Sequence, residues 1–337
     1  MITAAKIQST EYDPVAERWT VHFLTPAGNR TAISKHIVLA TGIGSQKCNI
    51  SQIAGSDLYK GISIHSAQYK NAEQLRKGGA KSVLIIGAAN TAFDILEDCH
   101  AAGLQTTMNV RTPTYIIPIE YICNPLRMAA YETGTEFADN IFMTLPISID
   151  TQLAQGLLAR FASPEPDRYV SLASAGFPVL ISNSPSCVLM QNLIERAGGH
   201  YVDVGGTRLL EEGKTGIKAH VEPVAYTATG VRFSDGSPID VDAVIWCTGF
   251  TDKIVRETAV EILGGGSLNQ VAKAARDNES AMDGEANGKP KLGAHEIAAC
   301  VDATWGVDCE GEIRGLWKRQ SRPNGFWVMG GYTQQDR

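Results

Sequence analysis

Residues 82–98 read SVLIIGAANTAFDILED, and no other stretch limits the possible folds as sharply. Residues 83–87 are all apolar and read as a strand. Gly87 ends it. Over residues 90–103, Ala92, Ile95, Leu96 and Cys99 recur at helical spacing, and Gly103 stands where the helix would stop. Residues 106–111, TTMNVR, give a second strand. Strand, tight turn, helix and strand close as a parallel pair with a helical crossover, right-handed in nearly all cases. The chain is therefore expected to be α/β with a parallel sheet.

A dinucleotide-binding loop makes three demands between its strand and its helix: a tight turn, close approach of backbone to the pyrophosphate, and close helix–strand packing. Gly87, Ala89 and Ala92 stand at these positions. Gly87 meets the first demand and Ala92 the third. Ala89 departs from the pattern, because its methyl group lies where bare backbone should meet the phosphate. Asn90 and Thr91 open the helix, so their N–H groups and the positive helix end face an anion. Taken alone, the loop reads equally well as a nucleotide cradle or a plain βα turn. Arg111-Thr112, at the end of the second strand, favours the cradle. NAD-binding folds place an acid about 20 residues past the loop to hold the ribose hydroxyls. An acid there repels the 2′-phosphate of NADP, whereas an arginine pairs with it bidentately. The pattern is that of an NADP site.

The 337 residues are 44% hydrophobic and carry a formal net charge of −6. That is enough for one large domain or two ordinary ones. No basic surplus points to nucleic acid. No apolar run of about 18 residues points to a membrane span. The opening MITAAKIQSTEYD lacks the apolar core of a secretory signal. Seven cysteines without a Cys-x-x-Cys pair read as free thiols of a reducing, cytoplasmic compartment, and no metal site is expected. None of the ten tyrosines has a lysine four residues on, so the acid–base pair of a short-chain dehydrogenase is missing. The Gly-x-Ser-x-Gly elbow of serine hydrolases is missing too. A nucleotide site without a catalytic acid–base set leaves the chemistry to a second cofactor.

Along the chain, residues 18–41 predict a β-hairpin around Pro-Ala-Gly-Asn and then a buried strand, Ile37–Ala40, ending in Thr41-Gly42. Residues 43–80 are loop-rich. Residues 113–198 read as a mainly helical insertion broken by prolines, and strands return over 201–250 as IKAHVEPV, GVRFSDGSPIDV and DAVIWCTGF. Residues 263–294, rich in Gly, Ser, Asn, Glu and Lys, read as a flexible loop, and GFWVMGG as a final strand.

Taken in order, these motifs resemble the group B flavin-dependent monooxygenases: flavin-containing monooxygenases, YUCCA-type enzymes and Baeyer–Villiger relatives. IVLATG (Ile37–Gly42) resembles the strand closing the first part of their FAD domain. YKGISIHSAQY (Tyr59–Tyr69) resembles their Phe-x-Gly-x-x-x-His fingerprint, with Gly61 and His65 matched and Ser66 following. Its Tyr69-Lys70 lacks the Baeyer–Villiger ending, so the flavin-containing branch is nearer. GAANTAFDILEDCHAAG resembles the NADPH loop. DAVIWCTGF resembles the second Ala-Thr-Gly strand, with Cys247 for Ala, and the last segment resembles the return to the FAD domain.

The resemblance implies a Rossmann-like NADP-binding domain inserted in an FAD-binding domain: 1–76 on the FAD side, 77–250 for NADP with the insertion at about 113–198, and 251–337 returning to the FAD side. It adds Thr41, Gly42, Thr248, Gly249, Gly330 and Gly331 to the cofactor-binding set. Gly61, His65 and Ser66 become linker residues, with none of them catalytic. Trp246, Trp305, Trp317 and Trp327 are expected in the core. It further implies that NADPH reduces FAD, and that a C4a-(hydro)peroxyflavin passes one oxygen atom to a small organic substrate. The protein's part is to position the rings and exclude water.

Family members open with a glycine loop for the FAD pyrophosphate, whereas residues 1–36 here read as a hairpin. Only six residues follow Gly331, where the family has a long helix. The FAD domain is thus expected to be incomplete at both ends. Three readings follow: a monooxygenase, either weakly active or completed by a separate polypeptide bearing the FAD portion; a non-catalytic NADP-binding remnant; and a flavin-free NADPH reductase.

Overall fold

The computed structural model describes residues 1–40, 48–180, 199–250, 255–266, 290–300, 308–312 and 323–328. The chain divides into two compact units, Met1–Lys47 with Thr251–Thr333, and Cys48–Phe250.

In the first unit, β1 (Lys6–Asp13), β2 (Arg18–Thr25) and β3 (Gly28–Ser34) form an antiparallel meander in sequential order. The expected hairpin is β2–β3. Strand β1 was missed because KIQSTEYD has only Ile7 and Tyr12 as large apolar residues. Trp19 on β2 is fully buried, its ring 4.8 Å from that of Tyr12 and 5.5 Å from that of Phe326. Its indole N–H donates to the Asn324 carbonyl at 3.1 Å. Around it pack Ala259, Val260 and Leu263 from the segment Val255–Ile262 and its end, and Ile297 and Ala298 from helix Ala294–Ala299. Strand β4 (Ile37–Leu39) lies parallel to the strand Phe326–Val328. The expected buried strand is only half buried: Ile37 and Leu39 pack on the core, while Val38 is 49% exposed.

The second unit carries the site. Strand β5 (Ile62–His65), helix α1 (Ala72–Lys77), strand β6 (Ser82–Ile86), helix α2 (Asn90–Ala101) and strand β7 (Gln105–Val110) come first. Then follow β8 (Thr114–Pro118), the helices α3 (Ile119–Ile122), α4 (Pro125–Met128), α5 (Thr135–Thr144), α6 (Ile147–Ala162) and α7 (Val170–Ser174), and β9 (Val179–Leu180). The unit ends with β10 (His200–Asp203), α8 (Thr207–Glu211), β11 (Gly216–Ala219), β12 (Pro223–Tyr226), β13 (Gly230–Phe233), β14 (Pro238–Asp240) and β15 (Ala243–Trp246). The main sheet is wholly parallel in the order β11-β7-β6-β15-β5.

Both faces of this sheet are covered, which explains the unbroken apolar runs of β6 and β15. Val83, Ile85, Ala243 and Ile245 pack with Ala92, Phe93, Ile95, Leu96 and Cys99 of α2. Leu84, Ile86, Val244 and Trp246 pack with Tyr226, Val231 and Phe233 of the antiparallel sheet β12-β13-β14. Each large side chain so buried contributes about 1.5–3 kcal/mol. The Asp235-Gly236 turn joins β13 to β14 as read, with Gly236 at φ +83°.

Three readings change. Residues 113–198 hold strands as well as helices: β8 and β9, with β10, make a second parallel sheet in the order β10-β8-β9. TYIIP is a five-residue apolar run, too short for its period to distinguish strand from helix. IKAHVEPV is two strands, because the chain turns at His220 (φ +59°) between β11 and β12. The units change at 47/48 and not at 76/77, because β5 pairs along β15 in register from Ile62↔Ala243 to His65↔Trp246. Most of 263–294 lies outside the described residues, as do Trp305, Trp317, Thr41, Gly42, Gly330 and Gly331. Trp246 is fully buried, and Trp327 is partly so. Among the described residues no helix is long and apolar enough to cross a membrane, and no cluster could hold a metal ion. Six of the cysteines are described and all are free.

Candidate functional site at the sheet's switch point

From β6 the sheet grows through β7 and β11 on one side and through β15 and β5 on the other. Gly87 and Cys247 follow directly at the C-terminal ends of β6 and β15, the end of a parallel sheet where α/β folds place their ligands. The Gly87 N–H donates to the Asn109 carbonyl at 3.0 Å, and the Cys247 N–H donates to the Ile86 carbonyl at 2.8 Å. Gly87 has φ +127°, and a Cβ there would meet the Cys247 carbonyl oxygen at 2.4 Å. No other residue type fits.

Ala89 is the N-cap of α2, with extended backbone and no side-chain cap. Its carbonyl accepts from the N–H groups of Ala92 (2.9 Å) and Phe93 (3.2 Å). That leaves the N–H groups of Asn90 and Thr91 as the donors of the first turn. The Asn90 side chain turns to β10: its Oδ1 accepts from the Val202 N–H at 2.8 Å. Phe93 stacks on Tyr201 of the same strand at 3.7 Å. Ala92 is fully buried against the sheet, the packing role expected of it.

Arg111 follows β7, next to β6 in the sheet, with its side chain 68% exposed. Thr112 is exposed beside it. The Arg111 guanidinium donates to Glu222 Oε1 at 3.2 Å. Glu222 was not singled out from the sequence, because only the turn at His220 brings it to the end of β7. Asn109, buried on β7, makes that turn possible: its Nδ2 donates to the carbonyls of Lys218 (2.9 Å) and Val221 (3.0 Å). A polar side chain between Met108 and Val110 was the one signal of this in the sequence.

At the end of β15, Thr248 and Gly249 are engaged by the chain itself. The Thr248 hydroxyl donates to the Asn49 carbonyl. The Asn49 N–H donates to the Gly249 carbonyl at 2.9 Å, and its Nδ2 to the Thr248 carbonyl at 3.2 Å. His65, at the end of β5, is buried and also reaches this turn. Its Nδ1 accepts from the Ala67 N–H at 3.1 Å, which places the ring proton on Nε2, donating to the Gly249 carbonyl at 2.9 Å. Burial holds the imidazole below its usual pKa range.

Gly61 and His65, read as one fingerprint, serve opposite ends of β5. A Cβ on Gly61 would meet the Tyr59 hydroxyl at 2.3 Å and the Asp242 carbonyl at 2.4 Å. Tyr59 itself donates to the Val241 carbonyl at 2.8 Å. Ser66 opens the 3-10 turn Ser66–Gln68, its carbonyl accepting from Tyr69 at 3.1 Å. The structure thus gathers Gly87, Ala89, Asn90, Thr91, Thr248, Gly249 and His65 at one end of the sheet, with Arg111 at the neighbouring strand end.

Residues 3–121 match the family model described as L-lysine 6-monooxygenase/L-ornithine 5-monooxygenase. The indole-3-pyruvate monooxygenase YUCCA8 of Oryza sativa subsp. indica is 26% identical over 250 residues, covering 72% of this chain and 53% of its own length. The probable indole-3-pyruvate monooxygenase YUCCA10 of Arabidopsis thaliana is 22% identical over 252 residues, covering 74% and 57%. Among solved structures, cyclohexanone monooxygenase bound to epsilon-caprolactone in its loose conformation is 18% identical. It has a TM-score of 0.48 and covers 77% of this chain and 56% of its own. The chain spans about half the length of the curated relatives it matches. By the family model and these relatives, the chain is similar to flavin-dependent monooxygenases.

Proposed function

We propose that Cys48–Phe250 is the NADPH-binding unit of an FAD-dependent monooxygenase acting on a small organic substrate. The observation that carries this reading is that the α2 N-terminus after Gly87 and the Arg111 guanidinium lie at the C-terminal ends of adjacent parallel strands. The residues present fit the nucleotide. The N–H groups of Asn90 and Thr91, with the positive end of a twelve-residue helix, take the pyrophosphate. Arg111 takes the 2′-phosphate, with Thr112 beside it. The Ala89 methyl keeps the pyrophosphate slightly farther from the backbone than a glycine would.

When bound, the nicotinamide supplies a hydride to the flavin, and the reduced flavin with dioxygen supplies the oxygen atom. The chain's own work is positioning. Gly87 and Cys247 set the distance between β6 and β15. His65 and Asn49 hold the Thr248-Gly249 turn from the other side of β15, so that this strand end keeps its place as the nucleotide docks. On this reading the residues outside 48–250 belong to the FAD side.

The test is a spectrum. The full chain is incubated with excess FAD, freed of unbound flavin, and titrated anaerobically with NADPH. A flavin band near one per chain that NADPH bleaches is expected. No retained flavin alongside nucleotide binding would replace the monooxygenase with a non-catalytic NADP-binding module. NADPH oxidation without any flavin would replace it with a reductase.

A further inference from the structure

The Arg111–Glu222 contact joins two elements that nucleotide folds normally keep apart. An arginine at this strand end selects the 2′-phosphate of NADP, and a carboxylate selects the free 2′-hydroxyl of NAD. Here both are present, 3.2 Å apart, on neighbouring strand ends. The placement of Glu222 is built into the backbone. Its N–H donates to Ser234 Oγ at 3.2 Å, and its carbonyl accepts from the Ser234 N–H at 2.9 Å. The residue before it is held by buried Asn109, two positions ahead of Arg111 on β7. Lys218, the next cation along β11, is already paired with Asp235 at 2.7 Å.

We infer that Glu222 is a specificity-determining residue, one that weakens discrimination in favour of the 2′-phosphate; this rests on the nucleotide reading of the switch point. Arg111 and Glu222 are 68% and 57% exposed, so the pair is weak and a phosphate can displace it. Displacement does not remove the carboxylate. It remains beside the phosphate and repels it, and in the absence of the phosphate it accepts a hydrogen bond from the ribose hydroxyl. The site therefore takes both cofactors, with a smaller preference for NADPH than Arg111 alone would give.

The experiment is calorimetric titration of the full chain with 2′,5′-ADP and with 5′-AMP, for the wild type, Glu222→Gln and Arg111→Ala. Glu222→Gln is expected to tighten 2′,5′-ADP about three- to tenfold at low salt, and to weaken 5′-AMP by up to about threefold, because a neutral amide accepts the ribose hydrogen bond less strongly than a carboxylate. The gain shrinks as ionic strength rises. Both side chains are exposed, so an unchanged Tm is expected to accompany the effect. If 2′,5′-ADP binds and Arg111→Ala weakens it but Glu222→Gln does not respond, or if both fragments tighten equally, the role of Glu222 is overturned alone. If neither fragment binds the wild type, the nucleotide reading falls with it.

Discussion

His65 shows how much one side chain settles when both of its ring nitrogens are accounted for. The Ala67 N–H needs an acceptor at Nδ1 and the Gly249 carbonyl needs a donor at Nε2, so only one neutral tautomer satisfies both. A second proton would sit on Nδ1, against the Ala67 N–H. Burial, which disfavours the charged ring, holds the folded pKa below the unfolded value of about 6.5. The sign follows. The folded state binds fewer protons, so this contribution to stability is present above about pH 6.5 and is lost as pH falls below it, at up to about 1.4 kcal/mol per pH unit. Urea unfolding between pH 8 and pH 5.5 is expected to show this slope in the wild type and a shallower one in His65→Gln. Identical slopes would contradict the assignment. The sequence marked His65 through its resemblance to a fingerprint, but its partner Gly249 is far along the chain, and nothing local announces it. Asn49 and Glu222 were illegible for the same reason: their roles exist only once β15 or the turn at His220 is in place. Ala92 and Gly87, whose demands come from the adjacent strand and helix, were legible from local pattern.

Among the elements, β6, α2 and β7 are where reading and structure agree most closely, because strand burial and helix amphipathicity both leave a period in the sequence. The elements that escaped were short or polar. β8 is an apolar run of five, β5 is four residues within a loop-rich stretch, and β1 is mostly polar. Each is fixed by a neighbouring strand and not by its own pattern. The closeness of β6 and β15 at Gly87 yields a direct prediction. Gly87→Ala places a methyl group 2.4 Å from the Cys247 carbonyl at a backbone angle that disfavours any side chain. It should cost about 2–4 kcal/mol. Denaturant unfolding of the variant should show a clearly lower midpoint, and a midpoint within about 0.5 kcal/mol of the wild type would mean that the strands are not so tightly joined there.

For the molecule as a whole, the parallel order β11-β7-β6-β15-β5 turns scattered motifs into one site. Gly87, Arg111 and Thr248-Gly249 are distant in sequence, yet the sheet sets them side by side at its C-terminal edge. The change of unit at 47/48 was not legible from the motifs, since it depends on β5 pairing with β15. The proposed role of this edge is to bind NADPH through Arg111. The most direct measurement is titration of the full chain with NADP+, for the wild type and Arg111→Ala. The account predicts saturable binding of one nucleotide per chain, weakened about tenfold or more by the substitution, with NAD+ binding little changed. Absence of saturable binding, or NADP+ affinity that Arg111→Ala leaves unaltered, would contradict it.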